Sequence, residues 1–255
     1  MSFMFNECGN LTNLDLTQLN TQNVTDMTCM FRRCGIISMD LTLNTCQATT
    51  MRGMFEECKK LTTLILKLNT QNVTDMSVMF QYCNNLTTLI MELNTQNVTN
   101  VMGIFYGCSS LKTLDLTSFS TQNVTNMNSM FYNCSELTAL DLSPLDTQNV
   151  TNMGMMFYDC SGLTTLNLSP LDTQNVTNMG SMFYGCSGLA VLDLSPLDTQ
   201  NVTNMSSMFS YCDGLEALDL SPLDTQNVTD MSYMFRSCSG LTALDLSPLN
   251  TQNVT

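Results

Sequence analysis

Asparagine is the first residue type in this sequence whose repetition could carry chemistry. The triplet Asn-Val-Thr recurs along the whole chain, and it is an acceptor sequence for N-linked glycans. The pattern predicts a column of glycans, which would add bulk and solubility along one edge of the molecule. The alternative is that asparagine fills a bend, where its side chain satisfies backbone groups. The candidate N-glycosylation sites are Asn23, Asn72, Asn97, Asn123, Asn149, Asn175, Asn201, Asn227 and Asn253.

Cysteine forms a second column. The chain has 12 cysteines, no histidine and no Cys-x-x-Cys pair, so a zinc site is not expected. Ten of the cysteines lie between phenylalanine and leucine columns, where a free thiol behaves as a small buried hydrophobe. Cys29 and Cys46 fall outside that column, at positions expected to face solvent. A disulfide between these two is one alternative, and it would favour an oxidising compartment.

Aspartate forms a third column, at the outward middle of a repeated Leu-Asp-Leu segment. Like charges on neighbouring strands about 4.8 Å apart repel, so we expect raised pKa values for some members of this column. Calcium would relieve the repulsion, but the usual calcium loops are absent. We therefore favour a solvated acidic strip that could dock a basic partner, and we predict no metal site. The candidate binding residues are Asp115, Asp141, Asp193, Asp219 and Asp245.

Composition argues against catalysis and against nucleic acid as a partner. The net charge is −14, from eight basic and 22 acidic residues, and such a balance repels phosphate backbones. Without histidine the commonest general acid or base is missing, so we predict no enzyme, no catalytic residue and no cofactor. The basic residues Arg32, Arg33, Lys59 and Lys60 cluster in one region. They are a second candidate binding face, or a solvated surface.

The elements that position these columns follow from an internal repeat. Units begin at residues 1, 27, 51, 76, 101, 127, 153, 179, 205 and 231, so every residue from 1 to 255 belongs to one of ten coils of 24–26 residues. Such a period predicts a single solenoid domain, in which each coil buries its apolar edge against the next. Leu-x-x-Leu-Asp-Leu predicts a short parallel strand, and Met-x-x-Met-Phe-x-x-Cys predicts a helical or 3₁₀ turn. The polar Asp, Thr, Gln and Asn columns are expected to meet solvent.

The repeat resembles the BspA-type leucine-rich repeats of bacterial and protist surface proteins. The resemblance rests on an apolar, Phe and Cys spacing that appears here at Val150, Met153, Met156, Phe157 and Cys160. The Asn-Val-Thr-x-Met subtype matches best from the fifth coil onward. The resemblance implies a leucine-rich-repeat fold, an extracellular or cell-surface location, and adhesion to a host or matrix protein.

Neither end of the repeat array carries a polar cap, although solenoids need caps to stay soluble. Met1 already lies in the repeat phase, and Thr255 ends in it. We expect either that the array continues in further repeats of the same chain or that copies stack head to tail into a filament. The sequence contains no apolar run long enough for a membrane span. The leading hypothesis is a structural or adhesive rod. The alternative is a discrete binding module that uses the acidic strip or the basic cluster.

Overall fold

The computed structural model describes residues 1–255 and confirms a leucine-rich-repeat solenoid of ten coils, without any helix. Regular strands occur in three coils: β1 (Ser38–Leu43), β2 (Thr63–Leu68) and β3 (Thr88–Glu92). They pair in parallel in the order β1-β2-β3, with Met39 opposite Leu64. Alternate side chains of each strand point into the core, as the period of two predicts.

The prediction of a strand in every coil is wrong outside coils 2 to 4, because the 26-residue coils replace the end of the strand with a turn. In coil 6 the Leu145 N–H donates to the Leu142 carbonyl at 3.0 Å. The Asp141 carboxylate also accepts the N–H of Ser143 at 2.9 Å. Since these bonds bend the chain and use backbone groups locally, a regular ladder to the next coil does not form. Coils 2 to 4 are shorter and lack this turn, so their strands continue.

The Met-x-x-Met-Phe-x-x-Cys segment is a run of turns, and the predicted helical or 3₁₀ turn is absent. In coil 6 the Tyr132 N–H donates back to Ser129 at 3.2 Å, whereas the Ser129 N–H donates forward to Gly154 of the next coil at 2.9 Å. Ser129 and Asn133 have φ values of 57° and 52°. Each coil has two such left-handed residues at equivalent positions. A left-handed residue directs its N–H towards the next coil and interrupts the local turn bonds that a helix would need.

The core consists of stacked columns of identical or similar side chains. All ten repeat phenylalanines, from Phe5 to Phe235, stack with ring centroids 5.2–6.1 Å apart. Methionine, leucine, valine and cysteine columns surround them in one cluster of 72 buried residues. Burial of these apolar columns is the main favourable contribution to folding, at about 25 cal/mol per Å².

A column of threonines is also buried, contrary to the expectation that the threonines meet solvent. Thr147 is 1% exposed. Its hydroxyl donates to the Asp172 carbonyl of the next coil at 2.9 Å and accepts the Asp172 N–H at 2.7 Å. The hydroxyl therefore satisfies both backbone groups of Asp172 and connects coil 6 to coil 7. We call this column the threonine ladder; it comprises Thr21, Thr45, Thr70, Thr95, Thr121, Thr147, Thr173, Thr199 and Thr225.

The Asn-Val-Thr segments form a second connection that runs the length of the rod. Parallel bridges link each coil to the next, from the pair Asp26 and Thr50 to the pair Asn204 and Asp230. The Thr151 N–H, for example, donates to the Thr125 carbonyl of the preceding coil at 2.9 Å. The valine of each triplet points inward and is buried between the first and last coils.

Coil 2 has 24 residues because it lacks one residue at Gly35, between the cysteine and leucine columns, and one in the later turn that coils 3 and 4 also lack. The Gly35 N–H donates to the Cys8 carbonyl at 3.0 Å. A Cβ atom at this position would collide with the Gly9 carbonyl. Glycine is therefore required where the shortened coil crosses its neighbour.

Candidate interaction surfaces

The side chains of the predicted glycan sites form a hydrogen-bonded column. In eight of the nine triplets the asparagine Nδ2 donates to a carbonyl of the preceding coil at 2.6–2.8 Å. Asn149, for example, bonds to the Gln122 carbonyl at 2.8 Å. Asn23 lies in the first coil, and its amide makes no such bond. The same nitrogen that would carry a glycan thus contributes to the contact between coils.

The acidic strip is exposed, and each of its carboxylates starts a local turn. Asp115, Asp141, Asp193, Asp219 and Asp245 each accept the N–H of the residue two positions on, at 2.9 Å. These backbone bonds, followed by bonds to the Thr or Ser hydroxyl, lower the pKa of Asp115, Asp141, Asp193 and Asp245. The expectation of raised pKa values is therefore wrong for these four, because local N–H donors outweigh repulsion between exposed neighbours.

A second row of carboxylates, which the sequence reasoning missed, lies one turn further along the same coils. Asp146, Asp172, Asp198 and Asp224 are exposed. Each accepts the N–H of the glutamine two residues on, at 3.0–3.2 Å. The repeated Ser-Pro-Leu-Asp sequence was the available signal. The two rows together give coils 6 to 9 a high density of exposed carboxylates.

The basic cluster is largely neutralised by glutamates. Arg32 binds Glu56 at 3.1 Å and Glu57 at 3.2 Å, and Arg33 binds Glu57 at 2.8 Å. Lys59 lies 3.6 Å from Glu57. The hydrogen bond from Arg33, opposed by partial burial, lowers the pKa of Glu57.

The fourth basic residue, Lys60, donates to the Gly9 carbonyl at 3.0 Å. This surface therefore presents ion pairs and a backbone-bound lysine in place of the free cations that an acidic partner would need.

The structure does not pair Cys29 with Cys46, and all 12 cysteines are free thiols in it. Cys29 lies in the turn segment of coil 2, 3.9 Å from Glu56, and is buried at 7% exposure. Cys46 lies in the later bend of the same coil, with its sulfur 3.8 Å from the Gln22 carbonyl. The expectation that both face solvent fails for Cys29 because its left-handed backbone turns the side chain towards coil 3.

The cysteine column consists of free thiols, as predicted, and its members are buried except in the two end coils. From coil 3 onward, each sulfur lies 2.9–3.3 Å from the carbonyl of the phenylalanine in the preceding coil. Burial raises the pKa of Cys58 and of Cys160 to about 12. These thiols are therefore protonated packing groups, without the thiolate character that nucleophiles need.

A strip of stacked tyrosines is another surface feature that the sequence reasoning missed. Tyr106, Tyr132, Tyr158 and Tyr184 are half-buried, with neighbouring ring centroids 4.1–4.3 Å apart and planes within 6°. Burial, followed by a hydrogen bond to the Tyr184 phenol, raises the pKa of Tyr158. The Phe-Tyr pair repeated in coils 5 to 8 was the available signal. We call these four residues the tyrosine strip.

The remaining tyrosines extend this strip at both ends. Tyr82 meets Tyr106 edge-on, with centroids 5.1 Å apart. Tyr211 is tilted against Tyr184 at 5.1 Å. The Arg236 guanidinium lies 5.6 Å from the Tyr211 ring and 5.5 Å from the ring of Tyr233, within the range of a cation–π contact. All seven tyrosines of the chain thus lie on one side.

The tyrosine strip carries little charge, in contrast to the rest of coils 5 to 8. The turn segments that bear it, residues 102–107, 128–133, 154–159 and 180–185, contain Asp159 as their only charged residue. Glycine, serine and methionine flank the rings, and Met155 is 40% exposed. The rod therefore has an acidic side and a nearly uncharged aromatic side.

An open polar notch of about 430 Å³ lies where the 25-residue coil 4 meets the 26-residue coil 5. Gln96, Ser118 and Gln122 contribute to its wall, and Phe119 closes its base. None of its lining residues is charged.

The structure contains no helix of the length and apolarity needed to cross a bilayer.

Comparison with known proteins gives one family and several distant folds. A family model described as "Mycoplasma protein of unknown function, DUF285" matches residues 1–115, 49–164, 108–193 and 189–255, which together span the chain. No curated protein matches significantly. The likeness to solved structures is low in every case below, and it carries no argument about function.

A Treponema pallidum leucine-rich-repeat protein is 17% identical, over 71% of this chain and 72% of its own, with a TM-score of 0.45. A Bacteroides ovatus leucine-rich-repeat protein is 16% identical, over 85% and 74%, with a TM-score of 0.37. The functional domain of InlJ from Listeria monocytogenes, described as including a cysteine ladder, is 16% identical, over 95% and 58%, with a TM-score of 0.29.

Proposed function

This chain belongs to the family described as "Mycoplasma protein of unknown function, DUF285", and on that premise we propose that it is a non-enzymatic extracellular or cell-surface rod that binds proteins. Residues 1–255 act as one domain, supported by the single core cluster that runs from end to end. The surface location and the adhesive role rest on the resemblance to BspA-type repeats. The absence of histidine and the protonated state of the buried thiols support a role without chemistry.

The tyrosine strip carries the proposed recognition of a host or matrix protein. Tyrosine is enriched at protein interfaces because it combines a large apolar ring with a hydroxyl that both donates and accepts. The strip spans four coils, or roughly 15–20 Å at the spacing of parallel strands. Its segments contain Asp159 as their only charged residue, so a partner meets little electrostatic repulsion there.

The acidic strip is the second candidate, because its carboxylates are exposed and negatively charged at neutral pH. A basic partner would be recognised by long-range attraction, and its binding would weaken as salt is added. The basic cluster of Arg32, Arg33, Lys59 and Lys60 is a weaker candidate, because three of its four cations already pair with glutamates.

Adhesion assays with matched variants separate these surfaces. Beads coated with the chain would be tested against a panel of purified extracellular-matrix proteins. Replacing Tyr132, Tyr158 and Tyr184 by Phe keeps the stacked rings and removes the hydroxyls, and we expect it to abolish capture. Replacing Asp115, Asp141, Asp193 and Asp245 by Asn serves as the control. If capture survives the first set and fails with the second, the acidic strip is the binding surface and the tyrosine proposal is wrong.

The asparagine column is proposed as a structural ladder, with glycosylation as the alternative. One hydrogen of each bonded Nδ2 is already used, and glycans on successive coils would lie only about 4.8 Å apart at their roots. Intact mass, measured before and after enzymatic removal of N-glycans, decides between the two. A mass equal to the 28.3 kDa polypeptide supports the ladder. A larger mass that falls on treatment shows that the column carries glycans.

A further inference from the structure

Asp159 is the only charged residue in the turns that carry the tyrosine strip, and it lacks a partner of opposite charge. It follows Tyr158 in coil 7 and is partly buried. All ion pairs of the structure lie in coils 1 to 4. Burial raises the pKa of the Asp159 carboxyl, and no hydrogen-bond donor contacts it to offset that effect. Because a partly buried carboxylate without a partner is unfavourable, a cation that paired with it would be bound favourably.

The backbone holds this carboxylate against coil 8. Asp159 is left-handed, with a φ of 53°, and its N–H donates to the Tyr184 carbonyl at 2.7 Å. A Cβ atom on Gly185 would collide with the Asp159 Oδ1 atom, so the absence of a side chain at Gly185 leaves the space that the carboxylate occupies. The same column carries Tyr211 in coil 9. The carboxylate therefore has a fixed place beside the tyrosine strip.

The charges around Asp159 favour a positively charged partner. Residues 101–255 contain 14 acidic and two basic side chains, a net charge of −12. The two basic residues, Lys112 and Arg236, belong to coils 5 and 10, and neither pairs with Asp159. A basic protein segment is therefore attracted to this part of the rod from a distance, and the carboxylate is still free to pair with it on contact.

Arg236 shows that a guanidinium is compatible with the tyrosines of this surface. Its guanidinium carbon lies 5.6 Å from the centre of the Tyr211 ring and 5.5 Å from that of Tyr233. Arg236 occupies in coil 10 the repeat position that Tyr158 and Tyr184 occupy in coils 7 and 8. An arginine and a tyrosine ring are thus neighbours along this side of the rod, where the contact is a cation–π interaction.

We propose that Asp159 binds the guanidinium group of an arginine side chain that the partner protein places on the tyrosine strip. A guanidinium is planar and pairs with both oxygens of a carboxylate, and its remaining N–H groups can donate to tyrosine hydroxyls. Lysine fits less well, because its ammonium is more strongly hydrated and lacks the planar fork. This inference rests on the proposed function and names the chemical group that the strip recognises.

N-acetylarginine amide is the probe that tests the site itself. Titrated into the complete chain, it should shift the NMR signals of the Asp159 and Gly185 amides. N-acetylcitrulline amide has nearly the same shape without the charge and should leave them in place, and N-acetyllysine amide should shift them less than the arginine probe. Failure of the arginine probe to shift these signals overturns the inference, as do equal shifts with the citrulline or the lysine probe.

Asp159→Asn removes the charge and should abolish the response to the arginine probe. Asparagine fits this backbone, because Asn133 has the same position in coil 6 with a φ of 52°. Glu216→Gln is the matched control: it removes one negative charge at an exposed residue that belongs to neither the tyrosine strip nor the two acidic rows. This control should respond like the wild type. A full response of Asp159→Asn overturns the inference.

The bead assay then tests whether the same group is used on a protein. Asp159→Asn should weaken capture of the matrix proteins by at least about tenfold, the loss expected for a hydrogen bond to a charged group, and Glu216→Gln should not. Capture that Asp159→Asn leaves unchanged overturns the inference, even where it still depends on the tyrosines. If the arginine probe binds but the wild-type chain captures no matrix protein, the guanidinium site stands and the proposed function is wrong.

Discussion

Replacing Thr147 by valine tests whether the threonine ladder holds the coils together. Valine has nearly the shape of threonine but cannot hydrogen-bond, and the site is 1% exposed. The change removes the bond to the Asp172 carbonyl at 2.9 Å and the bond from the Asp172 N–H at 2.7 Å. Both backbone groups of Asp172 would then face a methyl group with no other partner.

The expected loss follows from counting these groups. Removing both bonds and leaving an N–H and a carbonyl unpaired costs about 2–4 kcal/mol. The additional buried methyl offsets about 1 kcal/mol of that cost. We therefore expect Thr147→Val to lower the free energy of unfolding by about 1–3 kcal/mol. Urea unfolding measures this total, and hydrogen exchange at the Asp172 amide measures the local part, which should accelerate by about 10- to 100-fold.

Thr151→Val is the matched control, because the same chemical change is made at an exposed threonine. The Thr151 hydroxyl bonds to the Thr125 carbonyl at 3.2 Å, but water can replace it there. Its backbone N–H keeps the ladder bond, so we expect a loss below about 0.5 kcal/mol. If Thr147→Val is as stable as the wild type and its Asp172 amide exchanges no faster, the threonine ladder does not stabilise the rod.

Three further results should follow from the structure. The Tyr158 phenol should ionise well above its ordinary pKa of about 10, as followed by tyrosinate absorbance; titration of all seven tyrosines near that value would contradict the stacking. The pKa of Asp141 is lowered in the fold, so its contribution to stability is present above the unfolded value of about 3.9 and is lost as pH falls through the folded value. Asp141→Asn should make the free energy of unfolding fall less steeply as the pH is lowered below about 4. The turn should persist in this variant, because Asn167 already makes the same turn bond at 3.0 Å in coil 7 without a charge. An unchanged pH dependence would refute this reasoning. Thiol alkylation of the native protein should reach Cys46 first and leave Cys134 unreacted until unfolding, as mass mapping of the labelled peptides would show.

The sequence was sufficient to predict the solenoid, the number of coils and the packing columns, because these follow from a period that the whole chain repeats. It was insufficient for the backbone within a coil. Leu-Asp-Leu has the alternation of a strand, but the Asp141 carboxylate binds the Ser143 N–H and starts a turn. The Met-Phe spacing fits a helical turn as well as it fits the run of turns that the structure shows. Left-handed residues such as Ser129, which exclude the helix, leave no signal in that spacing.

The surfaces were harder to predict than the core because composition does not show which side chains already have partners. Arg33 was expected to be available to a ligand, yet it pairs with Glu57 from another coil. Asn149 was interpreted as a modification site, yet its amide is used within the fold. The Phe-Tyr pairs were present in the sequence. A tyrosine next to a core phenylalanine can equally well be a core residue, so the sequence alone does not show that these rings lie at the surface.

Because the bonds between coils repeat from one coil to the next, a gene for such a rod can gain or lose whole repeats. From coil 6 to coil 9 the same pair of positions is bonded at every step between neighbouring coils, so this part of the rod has no unique internal joint. Deleting residues 153–178 would bring coil 6 against coil 8, where the same phenylalanine, threonine and asparagine columns meet in the same register. Recombination between repeats can therefore lengthen or shorten the protein by whole units without disturbing its fold, and the reach of the molecule can evolve separately from the chemistry of its sides.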